Sequence, residues 1–147
     1  MSVEKPLVLV FEDDRSVRTL ITRFLGDAGL RVEAHEDPLS FLERPDLESK
    51  LASSAGIWTD GDMLAVGGFE LARNVRELGY TKPIYLVSGA VQAVLSREYE
   101  GVRAHTLFTA AYPKPFDFSV FQQFAEDVRF FQNEPAMKTE TIKYTTH

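Results

Sequence analysis

A chain of 147 residues with 44% hydrophobic and 26% charged residues has the length and balance of one soluble domain with a sizeable core. It contains no cysteine and carries a net charge of −6, which excludes a disulfide framework, a thiolate metal site and a cysteine nucleophile, and argues against phosphate-neutralising contact with nucleic acid. Its longest apolar run is far short of a membrane span and its N-terminus turns acidic too early for a signal peptide, so the expected setting is the cytoplasm, with no membrane and no nucleic acid as partner.

Leu7 to Phe11 (LVLVF) is a continuous apolar run, the pattern of a strand covered on both faces. It ends in Glu12-Asp13-Asp14, after which Val17, Leu20, Ile21, Phe24, Leu25 and Ala28 recur at helical spacing, with Asp14 placed to cap the helix and Gly29 to stop it. Arg31 to Glu36 alternates apolar and polar residues and is expected at a sheet edge. Pro38 to Glu43 is expected as a short helix ended by Pro45, and Asp46 to Ser54 is polar and ambiguous. Ala55 to Thr59 is the third expected strand, leading into Asp60. Phe69, Leu71, Ala72, Val75 and Leu78 then mark a helix closed by Gly79. Pro83 to Ser88 is a buried-type strand, Val91 to Tyr99 a shorter helix, and His105 to Tyr112 a fifth strand ending in Pro113-Lys114-Pro115. Val120 to Phe131 closes the domain as an amphipathic helix, and 134–147 is polar, aperiodic and expected to be a flexible tail outside a domain of residues 1–133.

Alternating strands and helices predict an α/β fold: a doubly wound, five-stranded parallel sheet of the flavodoxin-like order 2-1-3-4-5, that order being borrowed from a common doubly wound fold. Right-handed crossovers place every strand's carboxyl end on one rim. That rim collects Glu12, Asp13, Asp60, Ser88 and Lys114, with Asp62 close by. Crowded carboxylates either take up protons or bind a cation, and oxygen-only ligands with open positions suit Mg²⁺. A carboxylate beside such an ion and a lysine can attack phosphorus, while metal, ammonium and hydroxyl neutralise the transferring group.

Four pieces in order, LVLVFEDD with SVRTLI after it, TDGDMLAVGGFEL, YLVSG and YPKPF, resemble the receiver domain of two-component response regulators over residues 5 to 132. The resemblance implies that Asp60 is the phosphoacceptor, that Glu12 and Asp13 hold Mg²⁺ with Asp13 as direct ligand, and that Asp62 adds its backbone carbonyl. It implies Ser88 as the switch hydroxyl, Lys114 as the phosphoryl-pairing lysine, and a cis bond at Lys114-Pro115, where X-Pro makes it least costly. It also implies a histidine kinase or phosphotransfer protein upstream and an unidentified protein downstream, and leaves a homodimer open. The chain departs from the family at Leu64, where proline is common, and at Gly67-Gly68, where Asp-Gly is common. It departs again at Ala111, where an aromatic usually reports activation; the adjacent Tyr112 belongs to the opposite face of its strand.

Each residue has a plainer use. The acidic triplet suits a helix start, Asp60-Gly61 a turn, Ser88 a helix cap, and Phe118, Phe130 and Phe131 core packing rather than a partner patch. The expected function is a stand-alone, non-enzymatic receiver that accepts phosphate on Asp60 and at most releases it again. The alternative is a degenerate receiver used as a binding or dimerisation module, motivated by Ala111 and the altered loop after Asp60. Asp60-Gly61-Asp62 also resembles the DxD nucleophile of haloacid dehalogenase-type phosphatases, but that family carries it on the first strand.

Overall fold

The computed structural model describes residues 4–63 and 66–132, and the backbone of 143–144. Its elements run β1 (Leu7–Phe11), α1 (Arg15–Asp27), β2 (Arg31–His35), α2 (Pro38–Leu42), α3 (Leu47–Ser53), β3 (Gly56–Asp60), α4 (Gly68–Glu77), β4 (Ile84–Ser88) and α5 (Val91–Leu95). They continue through a hairpin of β5 (Glu98–Tyr99) and β6 (Val102–Arg103), a 3₁₀ turn at Ala104–Thr106, β7 (Ala110–Pro113), α6 (Ser119–Gln132) and β8 (Lys143–Tyr144).

The main sheet is parallel in the order β2-β1-β3-β4-β7-β8, the expected doubly wound order with one strand added beyond β7. The continuous apolar runs of β1, β3 and β4 lie inside it, and the alternating β2 lies at its edge, half-exposed. The period of two divides the core. Leu9, Phe11, Ile57, Ile84, Leu86 and Ala111 pack against α2, α4 and α5. Val8, Val10, Trp58, Tyr85, Val87 and Ala110 pack against α1 and α6. Trp58 anchors this second face, its ring 5.0 Å from Phe121, 5.5 Å from Phe124 and 5.6 Å from Phe116. Aromatic pairs at such spacings add to the area they bury.

Several connections differ from expectation. The polar stretch Asp46 to Ser54 contains α3, which buries Leu51 and reaches Glu33 of β2 through Lys50 at 2.8 Å. The helix from Val91 ends at Leu95, and Tyr99 belongs to a hairpin. The cause is the Glu100-Gly101 pair, with φ of 50° and 81°; two consecutive left-handed residues make the tight turn whose twist suits a two-residue hairpin. Arg73 sits 4.8 Å over the Tyr99 ring and Arg97 4.7 Å over Phe69, so cation–π contacts hold the hairpin to α4. His105 lies in the 3₁₀ turn, and the last strand of the expected five begins only at Ala110. Phe118 and Phe130 are not core residues: they are 68% and 62% exposed, Phe118 just ahead of α6 and Phe130 within it but off its buried stripe of Val120, Phe121, Phe124 and Val128. Within the expected tail, Lys143–Tyr144 pairs with Ala110 and Ala111; its other residues lie outside those described. Among the described residues no helix is long and apolar enough to cross a membrane.

Arg76 ties three segments together. Its guanidinium donates to the carbonyls of Leu107 (3.0 Å), Tyr80 (2.9 Å) and Lys82 (2.8 Å), and burial pushes its pKa down to about 10. Arg76→Met leaves those carbonyls unpaired, and hydrogen bonds from a charged donor carry more than neutral ones; we expect a loss of about 3 kcal/mol in urea denaturation.

Candidate functional site

Backbone pairing continues just past the strand ends and delivers the site residues to the rim. Glu12 donates its N–H to His35 (3.0 Å), Gly61 to Val87 (3.1 Å) and Lys114 to Ser88 (3.0 Å). Each of those residues is thereby held by a neighbouring strand rather than by a free loop. Asp14 caps α1, accepting from the Val17 N–H at 3.1 Å, and this turn fixes the acidic pair ahead of it. Arg18, one turn into α1, donates to the Glu12 carbonyl at 2.8 Å and the Asp13 carbonyl at 3.4 Å. The sequence pattern alone does not single out Arg18; its position one helical turn after the cap is the only hint.

Lys114 is the centre of the cluster. Its Nζ lies 3.3 Å from Glu12 Oε1 and 3.4 Å from Asp60 Oδ1, while Glu12 is 2% and Asp60 6% exposed. Glu12 Oε2 accepts from the Asp14 N–H at 3.1 Å, and Asp60 Oδ1 also accepts from the Asp62 N–H at 3.2 Å. Asp13 is exposed, and one carboxylate oxygen from each of Glu12, Asp13 and Asp60 lies within 4.8 Å of the others. Burial drives the Glu12 carboxyl above the usual range and the neighbouring Asp60 adds to this, against the Asp14 N–H and Lys114. For Lys114, burial pulls the pKa down, but Asp60 and Glu12 outweigh it and hold the ammonium above its ordinary value. Oxygen-only donors, two buried and one facing solvent, fit a hard divalent cation that keeps part of its water shell.

Ser88 is fully buried and donates to Asp62 Oδ2 at 2.8 Å, while its Oγ accepts from the Ala90 N–H at 3.0 Å. Ala90, not Ser88, caps α5. The side chain of Asp62 thus turns toward Ser88 rather than joining the three clustered acids, a role its sequence position did not signal. Gly61 is required by close approach: a Cβ there would sit 2.9 Å from Ser88 Oγ. Gly68 is required likewise, since its Cβ would meet the Asp60 carbonyl oxygen at 2.8 Å, which gives the Gly67-Gly68 pair a packing reason. The Lys114-Pro115 peptide is cis. Ala111 is sealed in the core facing α5, whereas Tyr112 lies on the other face with its ring 5.7 Å from Tyr85. Leu64 lies outside the described residues.

The raised Glu12 pKa has a defined sign. Folded protein keeps that proton to higher pH than unfolded chain, so the contribution to stability is complete below the ordinary glutamate value and is lost as pH rises through the folded value. Glu12→Gln removes the loss. We expect it to be more stable than wild type at pH 8, with the difference shrinking towards pH 4, in thermal or urea melts across that range.

No family model and no curated protein matches the chain. Among solved structures it is similar to the receiver domain of the Francisella response regulator 1452, with 18% identity, 88% of this chain and 100% of that chain covered, and a TM-score of 0.70. A response regulator receiver domain protein from Clostridium thermocellum gives 15% identity, 86% and 96% coverage, and a TM-score of 0.71. Chemotaxis protein CheY4 of Vibrio cholerae gives 23% identity, 84% and 98% coverage, and a TM-score of 0.65. The site therefore stands on the carboxyl rim of a known scaffold: this chain has the response regulator receiver fold.

Proposed function

We propose that this chain is a response regulator receiver that accepts a phosphoryl group on Asp60 and signals through a protein surface. The observation that carries the reading is the Lys114 ammonium bridging two buried carboxylates, Glu12 and Asp60, beside a third, exposed one. In this arrangement Asp60 presents a carboxylate oxygen to phosphorus. Lys114 already contacts that carboxylate and stands ready to pair with the oxygens of the group being transferred, a preorganised charge that needs no rearrangement. Glu12, Asp13 and Asp60, with the Asp62 backbone carbonyl, would hold Mg²⁺. The ion, when bound, would neutralise phosphoryl charge. Ser88 supplies the hydroxyl beside the loop that carries Asp60. The donor is a phosphohistidine on a kinase or phosphotransfer protein, or a small phosphodonor; the only turnover is loss of the protein's own phosphoryl group.

A second reading keeps the fold but discards the chemistry, leaving a binding or dimerisation module. Ala111 favours it, because no aromatic stands at that buried position to follow Ser88. Intact mass after incubation with acetyl phosphate separates the two. We expect one phosphoryl adduct on wild type with Mg²⁺, and loss of at least nine-tenths of it on chelation or in Asp60→Asn, about a tenfold effect or more. Well-folded wild type that takes up no phosphoryl group would overturn the proposal in favour of the module.

A further inference from the structure

The contact between Ser88 and Asp62 belongs to neither the metal cluster nor the lysine bridge. Ser88 has one hydroxyl proton, and that proton is committed to Asp62 Oδ2 at 2.8 Å. The oxygen is fixed from the other side by the Ala90 N–H at 3.0 Å, so the hydroxyl cannot swing freely within its buried site. Asp62 is itself tied to the reacting carboxylate, its N–H lying 3.2 Å from Asp60 Oδ1. Between them, Gly61 presses against Ser88 so closely that even a methyl group would collide with Oγ. One short segment, residues 60 to 62, therefore controls both the phosphoacceptor and the proton of the hydroxyl beside it.

We infer that Asp62 is a positioning residue that latches Ser88 in the unphosphorylated state and opposes its engagement with the phosphoryl group. The inference rests on Asp60 being the phosphoacceptor. When Asp60 attacks acetyl phosphate, its oxygen bonds to phosphorus, the bond from phosphorus to the acetyl oxygen breaks, and acetate leaves with the electron pair. Ser88 neither gains nor loses a proton; its O–H changes acceptor, from Asp62 Oδ2 to an oxygen of the phosphoryl group. Two costs attend the change. A hydrogen bond to a charged acceptor is given up, and the Asp62 carboxylate is left facing a second anion. Removing the carboxylate removes both.

The test is binding of fluoroberyllate, an unreactive mimic of the phosphoryl group, with Mg²⁺ by calorimetry, alongside uptake from acetyl phosphate by intact mass. It compares wild type, Asp62→Asn, Asp62→Ala, Ser88→Ala and the double variant Asp62→Ala/Ser88→Ala. Asp62 is exposed, so its variants keep the fold, which a thermal melt verifies. We expect Asp62→Ala to bind fluoroberyllate about tenfold or more tightly than wild type, as fits loss of a charge-assisted hydrogen bond, with Asp62→Asn in between. We expect Asp62→Ala to add much less in the Ser88→Ala background, because only relief of the charge repulsion remains there once the hydroxyl that the latch holds is gone. Unchanged affinity in Asp62→Ala, or an equal gain with and without Ser88, would overturn the latch while leaving the phosphoacceptor intact. Failure of every variant, wild type included, to bind fluoroberyllate or take up phosphate would overturn the receiver reading and the latch with it.

Discussion

The structure depends on one ammonium group. Glu12 and Asp60 are almost wholly buried at the ends of adjacent strands, and two carboxylates so placed repel each other and lack solvent. Lys114 makes them compatible. It arrives from β7, a strand that does not touch β1, and crosses the ends of β4 and β3 to reach its partners. The cost remains visible in the raised pKa of Glu12, a carboxyl that burial and the neighbouring Asp60 both push toward its protonated form. That tension sits at the carboxyl rim, the edge at which open α/β sheets in general place their ligands.

The rest of the sheet serves to hold this geometry still. Residues one step beyond β1, β3 and β7 stay in the backbone ladder, so Glu12, Gly61 and Lys114 inherit the rigidity of strands. Below the rim, large aromatics fill the α1 and α6 side, while Gly56 lets α6 approach so closely that a Cβ there would lie 2.8 Å from Val128. On the opposite side, α4 closes on β3 through Gly68. Small residues stand where backbones must meet, and rings fill the wider spaces between them.

Most of this was legible in the chain because its strongest signals are local. Unbroken apolar runs such as LVLVF and the helical spacing from Val17 to Ala28 translate directly into buried strands and an amphipathic helix. Once five strands are parallel, topology alone gathers Glu12, Asp60, Ser88 and Lys114. What escaped was set by two-residue events and by long-range pairing. The Glu100-Gly101 turn ended a helical pattern in mid-course. Nothing in the order of residues says that the Asp62 side chain will choose Ser88, separated from it by 26 positions, over the acids nearby. Phe130 was misjudged because hydrophobicity was weighed without the phase of its helix, and Phe118 because it stands just ahead of that helix.

Trp58 gives this architecture a built-in optical probe. It is the chain's single tryptophan, two residues before Asp60 on the same strand, and its indole lies 5.6 Å from the ring of Phe116, two residues beyond Lys114. Two of the three segments that carry the charged centre therefore border one chromophore shielded from water. Any event at the rim that moves either segment alters the packing around that indole, and its emission and near-ultraviolet dichroism follow the change without a label.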